Sequence, residues 1–198
     1  MLTVKEAAEQ RRSIRKYKDQ AIPEADIREM LRISGLAPSP WNLQPWRVEV
    51  VQNPEVKQKL MGAAYNQPQV GAAPVVFAIW SDMNDVLDKV EDTIHPGMAA
   101  TPEAHAKTMR DTFGAYEEGE LAWWGRGQAY TYLGYLMLAA QSMGYSSSPM
   151  LGFVPDQVRE VLGIPSHGQI AALLAVGTAD EEGFPHHRHP LDRFVRWH

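Results

Sequence analysis

No cysteine occurs among the 198 residues, which removes disulfides, thiolate metal sites, cysteine nucleophiles and cysteine-ligated iron–sulfur clusters. Any redox chemistry must therefore come from a bound cofactor. An excess of positive charge is missing too. Nineteen Lys and Arg stand against 24 Asp and Glu, a formal charge of -5, which argues against a nucleic-acid backbone as main partner but leaves room for a small anion bound locally. A membrane-spanning run is also lacking. The most apolar stretch, 129–143, contains Gln141, follows Arg126 and falls short of the ~20 apolar residues a span needs. The first ten residues carry Lys5, Glu6 and Glu9 where a secretory signal has its apolar core, so the expected location is the cytoplasm.

What is present suits a single domain over 1–198, with 44% apolar residues to build its core. Val4, Ala7 and Ala8 sit at helical spacing. A second helical run follows Pro23-Glu24, with Ile27, Met30, Leu31 and Ile33 on one face. Three prolines between Ala37 and Pro45 predict an extended loop. Strands are expected over 47–52, 74–80 and 170–176, the last two buried on both faces. Asn53 as cap and Pro54 in the first turn predict a helix to Ala64, and 155–162 reads as a short one. Residues from about 82 to 120 carry many charges and no strong strand signal, and are read as a variable helical insertion or lid. Residues 128–144 are apolar on nearly every side of a 3.6 period, so they predict a central or interface helix.

Four segments carry groups suited to chemistry. Arg11, Arg12, Ser13, Arg15, Lys16 and Lys18 crowd a helix end; guanidinium forks and a hydroxyl suit phosphate oxygens. By itself such a cluster is more often a solvated basic face. The loop 37–46 offers Ser39, Asn42 and Gln44 between Trp41 and Trp46, donors and acceptors matched to a flat polar heterocycle; a packing corner is the plainer alternative. Residues 146–153 combine small side chains with Gly152, which lets a backbone approach a ligand closely, though an ordinary connecting loop has the same composition. His186, His187 and His189 surround Arg188. Adjacent imidazoles point apart and lack a partner at ligand spacing, so no metal site is expected.

Taken in order, these segments resemble the FMN-dependent nitroreductase family. The match rests on RRSIRKY at 11–17, APSPWNLQPW at 37–46, SPMLGF at 148–153, VREVLGIP at 158–165, AALLAVG at 171–177 and HHRHPLDRFVRW at 186–197. The resemblance implies an α+β, nitroreductase-like fold: a mixed, mainly antiparallel sheet surrounded by helices, assembled as an intertwined homodimer with FMN at the interface. It assigns Arg11, Ser13 and Arg15 to the phosphate and ribityl chain, with Arg12 close by and Arg188 returning to the same phosphate. His186 stands where some relatives have Lys. Pro38, Ser39 and Asn42 are expected to reach the cofactor from the partner subunit. Asn66 and Gln69 address the polar edge of the ring, and Pro149, Met150, Leu151 and Gly152 line one face, with a backbone N–H near Leu151 aimed at N5. Some relatives carry Glu at the position of Leu151, a role absent here.

The implied activity is transfer of hydride from NADH or NADPH through the flavin to a small-molecule electron acceptor, a nitroaromatic or quinone, in ping-pong fashion. No side chain is then expected to be catalytic itself. Trp41, Phe113, Trp123 and Trp124 are candidate walls of the acceptor cavity, with core packing an equal alternative for each. A different flavin reaction on the same fold, a non-catalytic FMN-binding protein and a histidine-rich metal module complete the readings the sequence leaves open.

Overall fold

A computed structural model describes residues 1–98 and 101–198 of the chain. Its eight α-helices, counted among these residues, are α1 Val4–Gln10, α2 Glu24–Ser34, α3 Pro54–Ala63, α4 Pro68–Ala72, α5 Met83–Asp88, α6 Pro102–Gly114, α7 Glu118–Ser142 and α8 Pro155–Leu162. Four strands, β1 Trp46–Val51, β2 Val75–Ser81, β3 Ser146–Met150 and β4 Gln169–Gly177, form one sheet in the order β1-β2-β4-β3. All three pairings are antiparallel. The parallel component is a single bridge, Ser13 to Ser147.

The pleat explains why β2 and β4 are apolar throughout. Successive side chains of a strand point to opposite faces, and both faces of these central strands are covered. Val75, Phe77, Ile79, Leu174 and Val176 meet Met30 of α2 and Leu133 and Leu136 of α7. Val76, Ala78, Trp80, Leu173 and Ala175 meet Leu60 of α3, Val70 of α4 and Val158 of α8. A register shift between Ile79 and Trp80 lets Ala171 and Ala172 both join the first cluster. Burying each Leu, Ile or Phe here contributes roughly 1.5–3 kcal/mol. α3 begins as its sequence predicts, with Asn53 Oδ1 accepting from the N–H groups of Glu55 and Val56.

Two sequence expectations need revision. Residues 146–150, read as loop, form the edge strand β3. Serines and Pro149 carry no strand pattern, but an edge position tolerates a missing N–H, and Ser147 and Ser148 are buried against β4. The long helix α7 starts at Glu118 instead of residue 128, because Glu117 and Glu120 close a capping box in front of it. Its enclosure is one-sided within the chain: Leu136 and Ala140 are fully buried while Tyr130 and Tyr135 are exposed. Between β2 and α7, α5 and α6 pack around Leu43, Val86, Val90 and Met109 in a third cluster. Among the described residues, none of 82–120 forms a strand.

Candidate functional site

After α1 ends, residues 11–18 run in extended form between the edge strand β3 and the chain leaving β4. Ile14 N–H donates to Ser147 O at 3.1 Å, Lys18 N–H to Thr178 O at 2.9 Å, and Asp180 N–H to Lys16 O at 3.0 Å. Tyr17 bridges to Ala179, and its hydroxyl donates to Ile14 O at 2.6 Å. The segment is therefore fixed by backbone pairing on both sides; Arg11, Arg12 and Ser13 are half-buried, whereas Arg15, Lys16 and Lys18 are exposed.

Arg11 is the unusual member. Its Nη1 is buried with no hydrogen-bond partner among the described residues. Burial first, and then the charges of Arg188 and Arg12, push its guanidinium pKa down. The tertiary structure has thus brought Arg188 back to Arg11 across almost the whole chain. A buried unpaired donor costs about 1–3 kcal/mol, more when charged, and like charges add to that. A phosphate dianion satisfies both defects at once. Arg12 differs, because its Nη1 donates to Glu9 O at 2.7 Å and to Arg11 O at 2.9 Å, which ties it to the helix end.

Beside this cluster lies a cavity of about 520 Å³, lined by Ser13, Arg15, Lys16, Pro68, Gln69, Glu181, Gly183 and Phe184. Four of these, Pro68, Glu181, Gly183 and Phe184, sequence reading missed. Glu181 accepts from Arg15 N–H at 2.6 Å and from Lys16 N–H at 3.3 Å. Gly183 has φ +70, and a Cβ there would lie 2.8 Å from Ile14 Cδ1 and 3.0 Å from Arg12 Cβ, so the returning chain is seated directly on the arginine segment. Phe184 is 84% exposed. No local pattern marks Glu181, since its partners lie some 165 positions earlier.

The floor of the site is polar. Gln69, buried, donates to Gln67 Oε1 at 3.1 Å and lies 3.2 Å from Met150 Sδ. Gln67 donates in turn to Gly152 O at 2.7 Å, and a Cβ on Gly152 would come within 3.1 Å of that amide. Gln69, Met150 and Gly152 are thus brought together with Gln67, which the sequence reading did not name. Asn66 is exposed at φ +55 beside Tyr65 at φ +52; its side chain joins none of these hydrogen bonds among the described residues. Pro149 sits in β3 opposite Leu174, and Leu151 is 62% exposed.

The proline-rich loop is extended at Ser39 but is not extended throughout, since Pro40–Asn42 form a 3-10 turn. Trp41, Asn42 and Gln44 have φ of 57, 57 and 46, an uncommon cluster of left-handed non-glycine residues that must be held by its surroundings. Ser39 Oγ accepts from Gln44 N–H at 2.9 Å, and Asn42 Nδ2 donates to Thr93 O at 3.1 Å. Within one chain, Pro38, Ser39 and Asn42 share no hydrogen bond with the arginine segment among the described residues. Trp41, 44% exposed, borders a separate cavity of about 340 Å³ with His95, His105 and Met109. Trp123 is 71% exposed, with the Arg126 guanidinium 5.2 Å from its ring centre. Phe113 is buried edge-on against Trp124 at 4.8 Å; both belong to the third core cluster.

Comparison with known proteins follows this geometry. The family model described as "Nitroreductase family" matches residues 8–178. The chain is 45% identical over 198 residues to a protein of Thermus thermophilus called NADH dehydrogenase, covering 100% of this chain and 97% of that one. A nitroreductase-like protein of Streptococcus mutans superposes with a TM-score of 0.88 at 30% identity, covering 97% of this chain and 96% of that chain. The crystal structure of a nitroreductase from Exiguobacterium sibiricum, in complex with FMN, superposes with a TM-score of 0.92 at 27% identity, covering 100% and 98%.

Proposed function

The chain belongs to the nitroreductase family, and from that premise we propose that it is an FMN-dependent oxidoreductase passing hydride from NAD(P)H to a small acceptor. The observation carrying this reading is the half-buried Arg11, whose Nη1 is buried with no partner among the described residues and which feels the charge of Arg188, a donor set that fits the FMN phosphate. The FMN-bound Exiguobacterium protein, alike over the whole chain, supports the same cofactor. The Thermus relative, called NADH dehydrogenase, favours NADH as the reductant. When bound, FMN would supply the redox chemistry, a two-electron exchange between NAD(P)H and a quinone or nitroaromatic acceptor in ping-pong order.

The protein's own residues bind and orient. Arg11, Arg188 and Ser13 hold the phosphate end. Arg15 follows the ribityl chain. Gln69, with Gln67 behind it, presents an amide at the polar edge of the ring, and Met150 to Gly152 supply a close-fitting face. Donors at that edge stabilise negative charge arriving with hydride. The chain acts as a single domain in a homodimer, with Pro38, Ser39 and Asn42 reaching the partner's cofactor. The uncovered face of α7, at Tyr130 and Tyr135, and the exposed Phe194 and Trp197 of the C-terminal segment supply apolar surface for that contact. The 82–120 region serves as lid, with Trp41 at its edge. Among the described residues no helix is long and apolar enough to cross a membrane.

The deciding experiment is to purify the protein, record its visible spectrum, and titrate it anaerobically with NADH and with NADPH. Bleaching of a flavin spectrum by NADH, reversed by a quinone, is expected. Absence of flavin binding even after incubation with FMN would overturn the reading.

A further inference from the structure

The arginine segment gathers Arg11, Arg12, Arg15 and Lys16, and Arg188 joins from the far end of the chain. Before a phosphate arrives, such a set repels itself. A carboxylate from outside the segment is hydrogen-bonded to it: Glu181 accepts from the consecutive N–H groups of Arg15 and Lys16, at 2.6 and 3.3 Å. These bonds fix two adjacent peptide planes, and with them the directions in which the Arg15 and Lys16 side chains leave the backbone.

The frame that carries Glu181 is itself rigid. Asp180 N–H is bonded to Lys16 O, Lys18 N–H to Thr178 O, and Gly183 packs so closely that a methyl group does not fit. Glu181 also lines the cavity that Ser13, Arg15 and Gln69 share. Resting on the FMN reading above, we propose that Glu181 is the positioning residue of the cofactor site, holding the Arg15–Lys16 backbone in its binding geometry before FMN enters. It acts through hydrogen-bond acceptance. Its negative charge alone disfavours a phosphate, so a purely electrostatic role predicts the opposite effect on affinity.

The test is FMN binding measured by quenching of flavin fluorescence in the apo-protein, for the wild type, Glu181→Ala and Glu181→Gln. Loss of pre-organisation is expected to weaken FMN binding by Glu181→Ala roughly tenfold or more. Glu181→Gln keeps an oxygen that accepts both N–H groups, so it is expected to restore affinity to within about threefold of wild type. Unchanged or tighter binding by Glu181→Ala overturns the proposal. So does a Glu181→Gln variant as weak as Glu181→Ala, because hydrogen-bond acceptance by one oxygen is then not what the site needs. Should Glu181→Ala fail to fold, Glu181→Asp, one methylene too short to reach both amides, takes its place with the same expectation. A wild type that binds no FMN overturns the functional reading as well, whereas variant affinities equal to wild type overturn this inference alone.

Discussion

At the scale of single residues, the chain tolerates at Arg11 a group that is unfavourable until a ligand completes it. Removing a buried unpaired charge does not harm an apo-protein and often helps it. Arg11→Met is therefore expected to leave the apo melting temperature unchanged or raised, while abolishing most of the stabilisation that FMN adds by mass action. Thermal melts with and without FMN check this. An Arg188→Ala variant, altering an exposed residue, is expected to lose about tenfold or more in FMN affinity with no change in fold. The double variant should lose less than the sum, since both groups meet one phosphate. Equal affinity in Arg188→Ala and wild type would refute the two-sided clamp. In the sequence, Arg11, Ser13, Arg15 and Arg188 were named through the resemblance of the ordered motifs, because residue type alone favours a solvated basic face. Glu181 and Gln67 were not, because an acid bonded to two amides and a glutamine bonded to one carbonyl look like any surface residue until the fold supplies the partners.

At the scale of elements, α5 is held at its start by more than its own turns. Asp82 caps it through Asp85 N–H at 2.9 Å and also meets His167 Nε2 at 3.2 Å. The Asp85 carboxylate accepts from Lys89 and from Arg47 of β1, and these hydrogen bonds, Lys89 first, hold its pKa below the usual value. A depressed folded-state pKa contributes stability that is present above the unfolded carboxylate value of about 3.9 and lost as pH falls through the folded one. Asp85→Asn is thus expected to melt below wild type at pH 7, with the gap closing under about pH 4. In the core, Leu136→Ala on α7, at a fully buried position, is expected to cost about 2–5 kcal/mol in urea unfolding. The buried strands and α3 were readable from apolar runs and capping residues. β3 was not, because pairing at a sheet edge is a property of its neighbour β4 more than of serine and proline.

At the scale of the whole molecule, one chain brings the arginine segment and Gln69 to one cavity, while Trp41 and Asn42 border a separate one with Thr93, His95, His105 and Met109. A dimer that brings the two together makes stability depend on protein concentration. Light scattering is expected to give twice the chain mass, and the melting temperature should rise with concentration; a monomer that still binds FMN tightly would remove the partner from the site. Among the described residues of 82–120, Met83, Val86, Val90, Met109 and Phe113 pack in one cluster with Leu43 of the proline-rich loop. Exchanging the 82–120 region for the equivalent region of a relative is expected to change the ranking of quinone and nitroaromatic acceptors while FMN retention stays the same.

The ordered motifs by themselves determined the family and, through it, the fold class, while apolar patterning and capping residues marked the buried strands and α3, because these signals are local in the chain. The tertiary structure alone decided that Arg11 Nη1 is buried with no partner among the described residues, that Arg188 returns to it, that Glu181 accepts from the Arg15 and Lys16 N–H groups, and that Phe113 and Trp124 pack in a core cluster. Those properties depend on distances between residues far apart in the chain, set by how β4 and the segment after it pack against the N-terminal strand, and no local pattern encodes them.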